Sequence, residues 1–508
     1  MRARVLRVSR HLPCRTRRAG VEIVSAIELT GTQSDAAYAG YRNVWLTAGA
    51  GSGKTRVLTE RILFLHLEKG IPLHRILAIT FTEKAAEEMR VRIGSRLAAI
   101  GARDSLRAVP EAAITTIDAF CMRLIQEYGD AVGVDPQFRI LDPVESAEWE
   151  AEVWAEVLDR WWRERREDAM ALFGALPLTI GPAHPGGIDG SVFWSLLRKI
   201  HTAGADLDEV DFTTPELGGM AEALWAAVHA NAGRAAGKMR GTPAKTMEKL
   251  QEIARLGGAR DLAEAERWAL LAEVRGRIKG TVAKSVKEFI DETAEWIDAL
   301  EGIGFESRHQ SIRELLGEFV RELDETFFAR KRDRSALDFI DLEELAVRLL
   351  EIEKVARETK RRYRYLLLDE CQDTNGLQLS LMRLLWNDGR FFAVGDPKQS
   401  IYHFRDADIQ AYLSLGREFA EKNSIALTLS ENFRSRPEII SFVNGFFATV
   451  WSGNEALGVP YEALAAGNEV RPAVDPRIEY LSVRDEDVKE ARYREAALLA
   501  DRLRAIHE

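Results

Sequence analysis

The sequence predicts an α/β protein: a parallel, helix-covered sheet into which a large, mainly helical segment is inserted. Three observations carry this. Strand-like apolar runs recur at 44–47, 76–80, 114–117, 365–368, 391–395 and 425–429, with helix-periodic segments between them. Polar residues suited to chemistry stand just after these runs, at 49–55, Thr82, Asp118, Asp369 and Asp396, where the carboxyl ends of parallel strands form a ligand crevice. Lys54 and Asp369 are separated by far more chain than a minimal nucleotide-binding domain needs, so something is inserted between them.

At 508 residues the chain is too long for one hydrophobic core and has room for two or more domains. Its 46% hydrophobic and 30% charged content is that of an ordinary globular protein, and no apolar stretch approaches the roughly 20 residues that span a bilayer. A soluble, cytoplasmic protein without membrane contact is expected. Cys14, Cys121 and Cys371 are too scattered for a disulfide framework or a metal-ligand spacing and read as small apolar residues. The net charge of −10 excludes a surface coated in nucleic-acid-binding charge, though it permits a local groove that stacks bases and offers a few basic contacts.

Taken in order, residues 1–25 form a basic extension, with Arg2, Arg4, Arg7, Arg10, Arg15, Arg17 and Arg18 ahead of the first acid, Glu22. No apolar helical face accompanies them, so a disordered extension is the expectation and a transit peptide the alternative. Residues 26–144 carry the first strands of the sheet domain. Residues 145–335 are rich in Ala, Glu, Arg, Leu and Trp and read as helices, broken by a Pro/Gly-rich loop at 177–190. Trp149, Val153, Trp154, Val157, Leu158 and Trp161 recur there at helical spacing, the pattern of a core stripe. Two basic clusters, Arg234, Lys238, Arg240, Lys245, Lys249 and Arg275, Arg277, Lys279, Lys284, Lys287, read either as solvated helix faces or as a grip on duplex phosphates. Residues 336–424 return to the sheet domain, and 425–508 read as the start of a second, truncated domain, with a strand at 477–483 and a helix at 490–506.

The chemistry is concentrated at Ala48-Gly49-Ala50-Gly51-Ser52-Gly53-Lys54-Thr55, a phosphate-binding loop between an apolar run and a helical one. Small residues let backbone N–H groups approach phosphates closely, and the following helix turns its positive end toward them. Lys54 is placed to contact the β and γ phosphates, and Thr55 to put a hydroxyl on Mg²⁺. Asp369, after four apolar residues, supplies a carboxylate to the same ion, and Glu370 is the candidate base for the attacking water. The pattern implies a nucleoside triphosphate hydrolase using Mg²⁺.

Seven blocks in order resemble the first motor portion of UvrD/Rep-type superfamily-one DNA helicases, in particular the RecB and AddA branch. They are 29–33, 80–89 and 116–121 around Phe81, Thr82 and Asp118, then 336–342, 369–375, 394–405 and 429–435, besides the phosphate loop. The resemblance implies a RecA-like P-loop sheet with a helical insertion and the start of a second RecA-like domain. It further implies that the nucleotide is ATP, that Gln33 reads adenine through its amide, that Phe433 stacks on the base, and that Gln399 and Arg434 sense the γ phosphate. Phe81, Thr82, Tyr402, Phe404 and Arg405 would line a single-stranded DNA path, with translocation 3′ to 5′. Implied partners are single-stranded DNA, single-/double-strand junctions and, for this branch, the other component of a helicase–nuclease complex in repair or recombination.

Asp118 departs from the family, which more often has histidine there, and the later motor blocks are not found before residue 508. Strand separation by this chain alone is therefore expected to be weak or absent. A nucleotide-gated DNA-binding fragment without productive turnover stays open as the second reading.

Overall fold

Short apolar runs buried on both faces are stable only when they pair side by side beneath a cover of helices. The computed structural model describes residues 29–176, 189–213, 218–240, 242–401, 407–451, 459, 461–467, 478–484 and 487–507. The Arg-rich segment 1–25, most of the loop at 177–190, and Tyr402, Phe404 and Arg405 lie outside the described residues. In chain order the strands are β1 (Asn43–Ala48), β2 (Ile76–Thr80), β3 (Ile114–Thr116), β4 (Arg139–Ile140), β5 (Ala336–Leu337), β6 (Tyr365–Leu368), β7 (Phe391–Gly395), β8 (Ser424–Leu429), β9 (Glu431–Asn432) and β10 (Ala465–Ala466).

The main sheet has six strands in the order β3-β2-β6-β7-β1-β8, every pair parallel. Every residue of β2, β6 and β7 is buried, which is why these segments carry unbroken apolar sequence rather than an alternating pattern. This is the RecA-like α/β fold that the sequence predicts. Its parallel register brings the ends of β1, β2, β6 and β7 to one edge.

Contact between elements divides the chain into two units. One comprises the described residues up to Pro136, Thr202–Gly204 and those from Phe339 on; the other comprises Gln137–His201 and Ala205–Asp338. The helical unit thus starts before residue 145 and ends after 335, because β4 and β5 pair with each other and close its two ends. A second difference concerns 425–429, expected to open a new domain. Those residues lie in β8, the edge strand of the main sheet, paired along its length to β1 from Asn43–Ser424 to Ala48–Leu429. The described residues 478–484 form no strand, whereas Val488–His507 is helical.

Within the helical unit the tryptophan stripe is core. Trp149, Val153, Trp154, Val157, Leu158 and Trp161 are buried in one cluster with Phe173, Phe193 and Phe319, and Trp161 Nε1 donates to Glu322 at 2.6 Å. Much of the basic clusters is spoken for by neighbours. Arg275 pairs with Asp298, Arg277 with Glu252 and Glu273, and Lys249 donates to the Thr281 carbonyl. Cys121 and Cys371 are buried thiols, as expected of small apolar residues. Among the described residues no helix is long and apolar enough to cross a membrane.

One buried acid beneath the sheet edge has a measurable consequence. Glu343 is 5% exposed and accepts from Gln378 Nε2 at 2.6 Å and Asn375 Nδ2 at 3.3 Å. Burial, opposed by those hydrogen bonds and aided by the nearby Asp118, pushes its carboxyl up to about 7. A carboxyl whose folded pKa is raised contributes stability that is fully present below its unfolded pKa and is lost as pH rises through the folded one. In Glu343→Gln this loss is absent, so the unfolding midpoint of the native chain should fall relative to the variant between about pH 5 and pH 8. The difference is expected to be on the order of 1–3 kcal/mol; a gap that stays constant with pH, measured by thermal unfolding, would contradict it.

Candidate nucleotide site

The phosphate loop leaves β1 and ends where the helix Lys54–Leu63 begins. Gly51 and Gly53 have φ of +70° and +88°, left-handed conformations that side chains resist. A Cβ on Gly51 would also lie 2.8 Å from both Asn432 Nδ2 and Arg434 Cβ. Ser52 is 1% exposed and points inward, its Oγ donating to the Gly49 carbonyl at 2.7 Å. Gly53 precedes a helix whose first-turn N–H groups lack intrahelical partners, so this end of the loop favours an anion.

Across the end of β7 stands the acidic side. Asp369 and Glu370 follow β6 directly, and Glu370 sits at φ +49°, a left-handed conformation that costs a non-glycine residue about 1–2 kcal/mol. That turn sends the carboxylate back over the loop. Glu370 Oε2 accepts from Lys54 Nζ at 2.6 Å, a contact between residues 316 positions apart, with Lys54 only 12% exposed. Gln372 Nε2 donates to the same Glu370 oxygen and to Asp373 Oδ2, both at 3.0 Å, while Gln372 Oε1 accepts from the Asp396 amide at 2.9 Å. The acids behind β6 and β7 are thereby linked through one buried amide.

Crowding of negative charge shows in the acidities. Burial and then the neighbouring Glu370 push Asp369 up to about 7, and the same two causes push Asp373 up to about 6, with Lys54 opposing both shifts. Such a group of carboxylates, tied through Lys54 to the start of a helix, has the chemistry that suits a hard divalent cation. Among the described residues no three His, Cys, Asp or Glu side chains form a closed metal cage.

The residues after β7 and β8 complete the surroundings. Gln399 follows Asp396 in a short 3₁₀ turn and donates from Nε2 to Asp396 Oδ2 at 2.7 Å. Gln33 is 1% exposed; its Nε2 donates to the Ser52 carbonyl at 2.9 Å and its Oε1 accepts from the Thr30 amide at 3.1 Å. One N–H and one lone pair of that amide are thus committed to protein. A pocket of about 220 Å³ opens there, lined by Thr30, Gln33, Ser52, Thr428, Glu431 and Phe433 among others. Phe433 is half-buried and Arg434 exposed.

Phe81 is half-buried after β2, and the exposed Thr82 caps the helix Glu83–Ala99 by accepting from the Ala85 amide at 3.1 Å. Asp118 lies in the first turn of the helix Ile117–Tyr128, where burial and then Glu83 raise its pKa. Sequence reasoning gave no role to Gln372, Asp373 or Asn432. For Asn432 a signal existed: an Asn whose side chain can accept amides two and three residues on is a turn former.

The sequence model of the UvrD/REP helicase N-terminal domain matches residues 29–420. Relatives named as subunits of an ATP-dependent helicase/nuclease align with most of the chain. Those of Bacillus cereus strain AH820 and Bacillus cytotoxicus are each 27% identical over 94% of this chain and 44% of their own length. That of Bacillus cereus strain B4264 is 28% identical over 85% of this chain and 40% of its own. The chain therefore spans less than half the length of the curated relatives it matches.

Because Lys54 is the cation at the mouth of the loop, Lys54→Ala should weaken binding of a magnesium nucleoside triphosphate at least about tenfold, a loss of one strong charge-assisted contact. Titration calorimetry on the full chain checks this, and unchanged affinity would remove the loop from consideration.

Proposed function

We propose, from the premise that this chain belongs to the UvrD/REP helicase family, that it is the ATP-binding part of a DNA motor. In this reading ATP hydrolysis drives movement along single-stranded DNA, 3′ to 5′, in repair or recombination. The observation that carries it is the Lys54–Glu370 pair at 2.6 Å, which joins the phosphate loop to the end of β6.

Phosphate oxygens arriving on the loop compete with Glu370 for Lys54 Nζ, and they bring more charge than one carboxylate does. Once Lys54 turns to the β and γ phosphates, Glu370 Oε2 retains the Gln372 amide and gains freedom to accept a proton from water. That water attacks the γ phosphorus as the bond to the β–γ bridging oxygen breaks, releasing ADP and phosphate. Thr55 and Asp369 would hold Mg²⁺, whose chemistry there is to neutralise charge on the β and γ oxygens. Gln399 and Arg434 would contact the γ phosphate, Arg434 as an arginine finger, while Gln33 holds the adenine edge and Phe433 its face. Phe81, Thr82, Tyr402, Phe404 and Arg405 are assigned to the DNA strand, where stacking on rings holds bases without reading sequence.

The matching relatives are named as components of a helicase/nuclease, which supports a protein partner for this chain too. Glu370→Gln keeps the shape and the Gln372 neighbour but cannot take a proton. DNA-stimulated phosphate release should drop about 10²- to 10⁴-fold, with Mg-ATP affinity within about threefold of the native chain. Phosphate release at the native rate would exclude Glu370 as the base, and a native chain that binds ATP yet releases no phosphate with DNA would favour a nucleotide-gated binding protein.

A further inference from the structure

Three successive carbonyls of the phosphate loop are held from outside the loop. Ala50 O accepts from Asn432 Nδ2 at 2.6 Å, Gly51 O from the Phe433 amide at 2.9 Å, and Ser52 O from Gln33 Nε2 at 2.9 Å. In a trans peptide the N–H points opposite to the C=O of the same plane. Holding the Ala50 carbonyl therefore fixes where the Gly51 N–H points, and holding the Ser52 carbonyl fixes the Gly53 N–H. Those N–H groups are the means by which such a loop grips phosphate.

Asn432 does more than hold one carbonyl. It is 3% exposed, and its Oδ1 accepts from the Arg434 amide at 3.0 Å and the Ser435 amide at 2.7 Å. Its own carbonyl accepts from Gly467 at 2.9 Å, within the β9–β10 pairing. One planar amide thus has its donor on the phosphate loop and its acceptor on the turn that carries Arg434. The close fit at Gly51, where a Cβ would strike both Asn432 and Arg434, leaves no slack between the two segments.

We propose that Asn432 is a positioning residue that locks the phosphate loop to the Arg434 turn, so that a γ phosphate on the loop meets Arg434 in a set geometry. The proposal rests on the ATP reading above and adds to it a determinant of triphosphate over diphosphate preference. Asn432 touches neither phosphate nor base; it acts through the Gly51 amide and through Arg434.

Asn432→Ser tests this without adding charge. A serine hydroxyl can still accept the amides two and three residues on, as in other turns of this kind, yet it is too short to reach the Ala50 carbonyl. Binding of fluorescent ATP and ADP analogues to the full chain, with magnesium, is measured beside the thermal unfolding midpoint. The expected result is about a tenfold loss of ATP affinity and less than about a threefold loss for ADP, with the midpoint nearly unchanged. Asn432→Ala, lacking donor and acceptor alike, should lose the ATP preference at least as fully. Equal losses for both nucleotides, or native affinities in either folded variant, overturn the proposal while leaving the ATP reading intact. Failure of the unmodified chain to bind either nucleotide overturns that reading and this proposal with it.

Discussion

The ion pair between Lys54 and Glu370 is the constraint on which the rest of the site depends. It requires β1 and β6, held apart by β7, to end at the same edge of one sheet, and the parallel pairing of all three supplies that. An unusual backbone accompanies the contact: Glu370, at φ +49°, turns sharply after β6, and its carboxylate meets Lys54 of the loop. Lys54 is mostly shielded from water, whereas the Glu370 side chain is 34% exposed.

A second organising feature is the economy of the loop. It makes few hydrogen bonds of its own and borrows its shape from Gln33, Asn432 and Phe433, the first and last of which also line the neighbouring pocket. Residues that line the pocket and residues that hold the loop carbonyls are therefore the same residues or adjacent ones. Any ligand with both a base and a phosphate chain touches one connected hydrogen-bonded body. On the acidic side Gln372 plays the comparable part, tying Glu370, Asp373 and the Asp396 backbone together.

The strands were legible because burial on both faces demands unbroken apolar sequence, and the loop because glycine, lysine and threonine at fixed spacing have few other uses. The tryptophan stripe was legible as core for the same reason of periodicity. Domain edges were not: β4 and β5 are two residues each, too short to leave a pattern, yet their pairing sets where the helical unit begins and ends. The segment 425–429 was placed in the wrong domain because order along the chain does not reveal which sheet a strand joins; its register with β1 does. Asn432 escaped notice as a loop contact because its donor reaches a carbonyl 382 positions away.

The proposed ATP hydrolysis requires Thr55, Lys54, Asp369 and Glu370 to share one metal–nucleotide ligand. Diffraction from crystals of the full chain grown with a non-hydrolysable ATP analogue and Mn²⁺, recorded at the manganese edge, tests it most directly. A single strong anomalous peak is expected beside Thr55 Oγ1 and the Asp369 carboxylate, bound directly or through water, with Lys54 Nζ drawn from Glu370 onto the phosphates. Phosphates seated away from residues 49–55, or manganese that meets neither Thr55 nor Asp369, would contradict it.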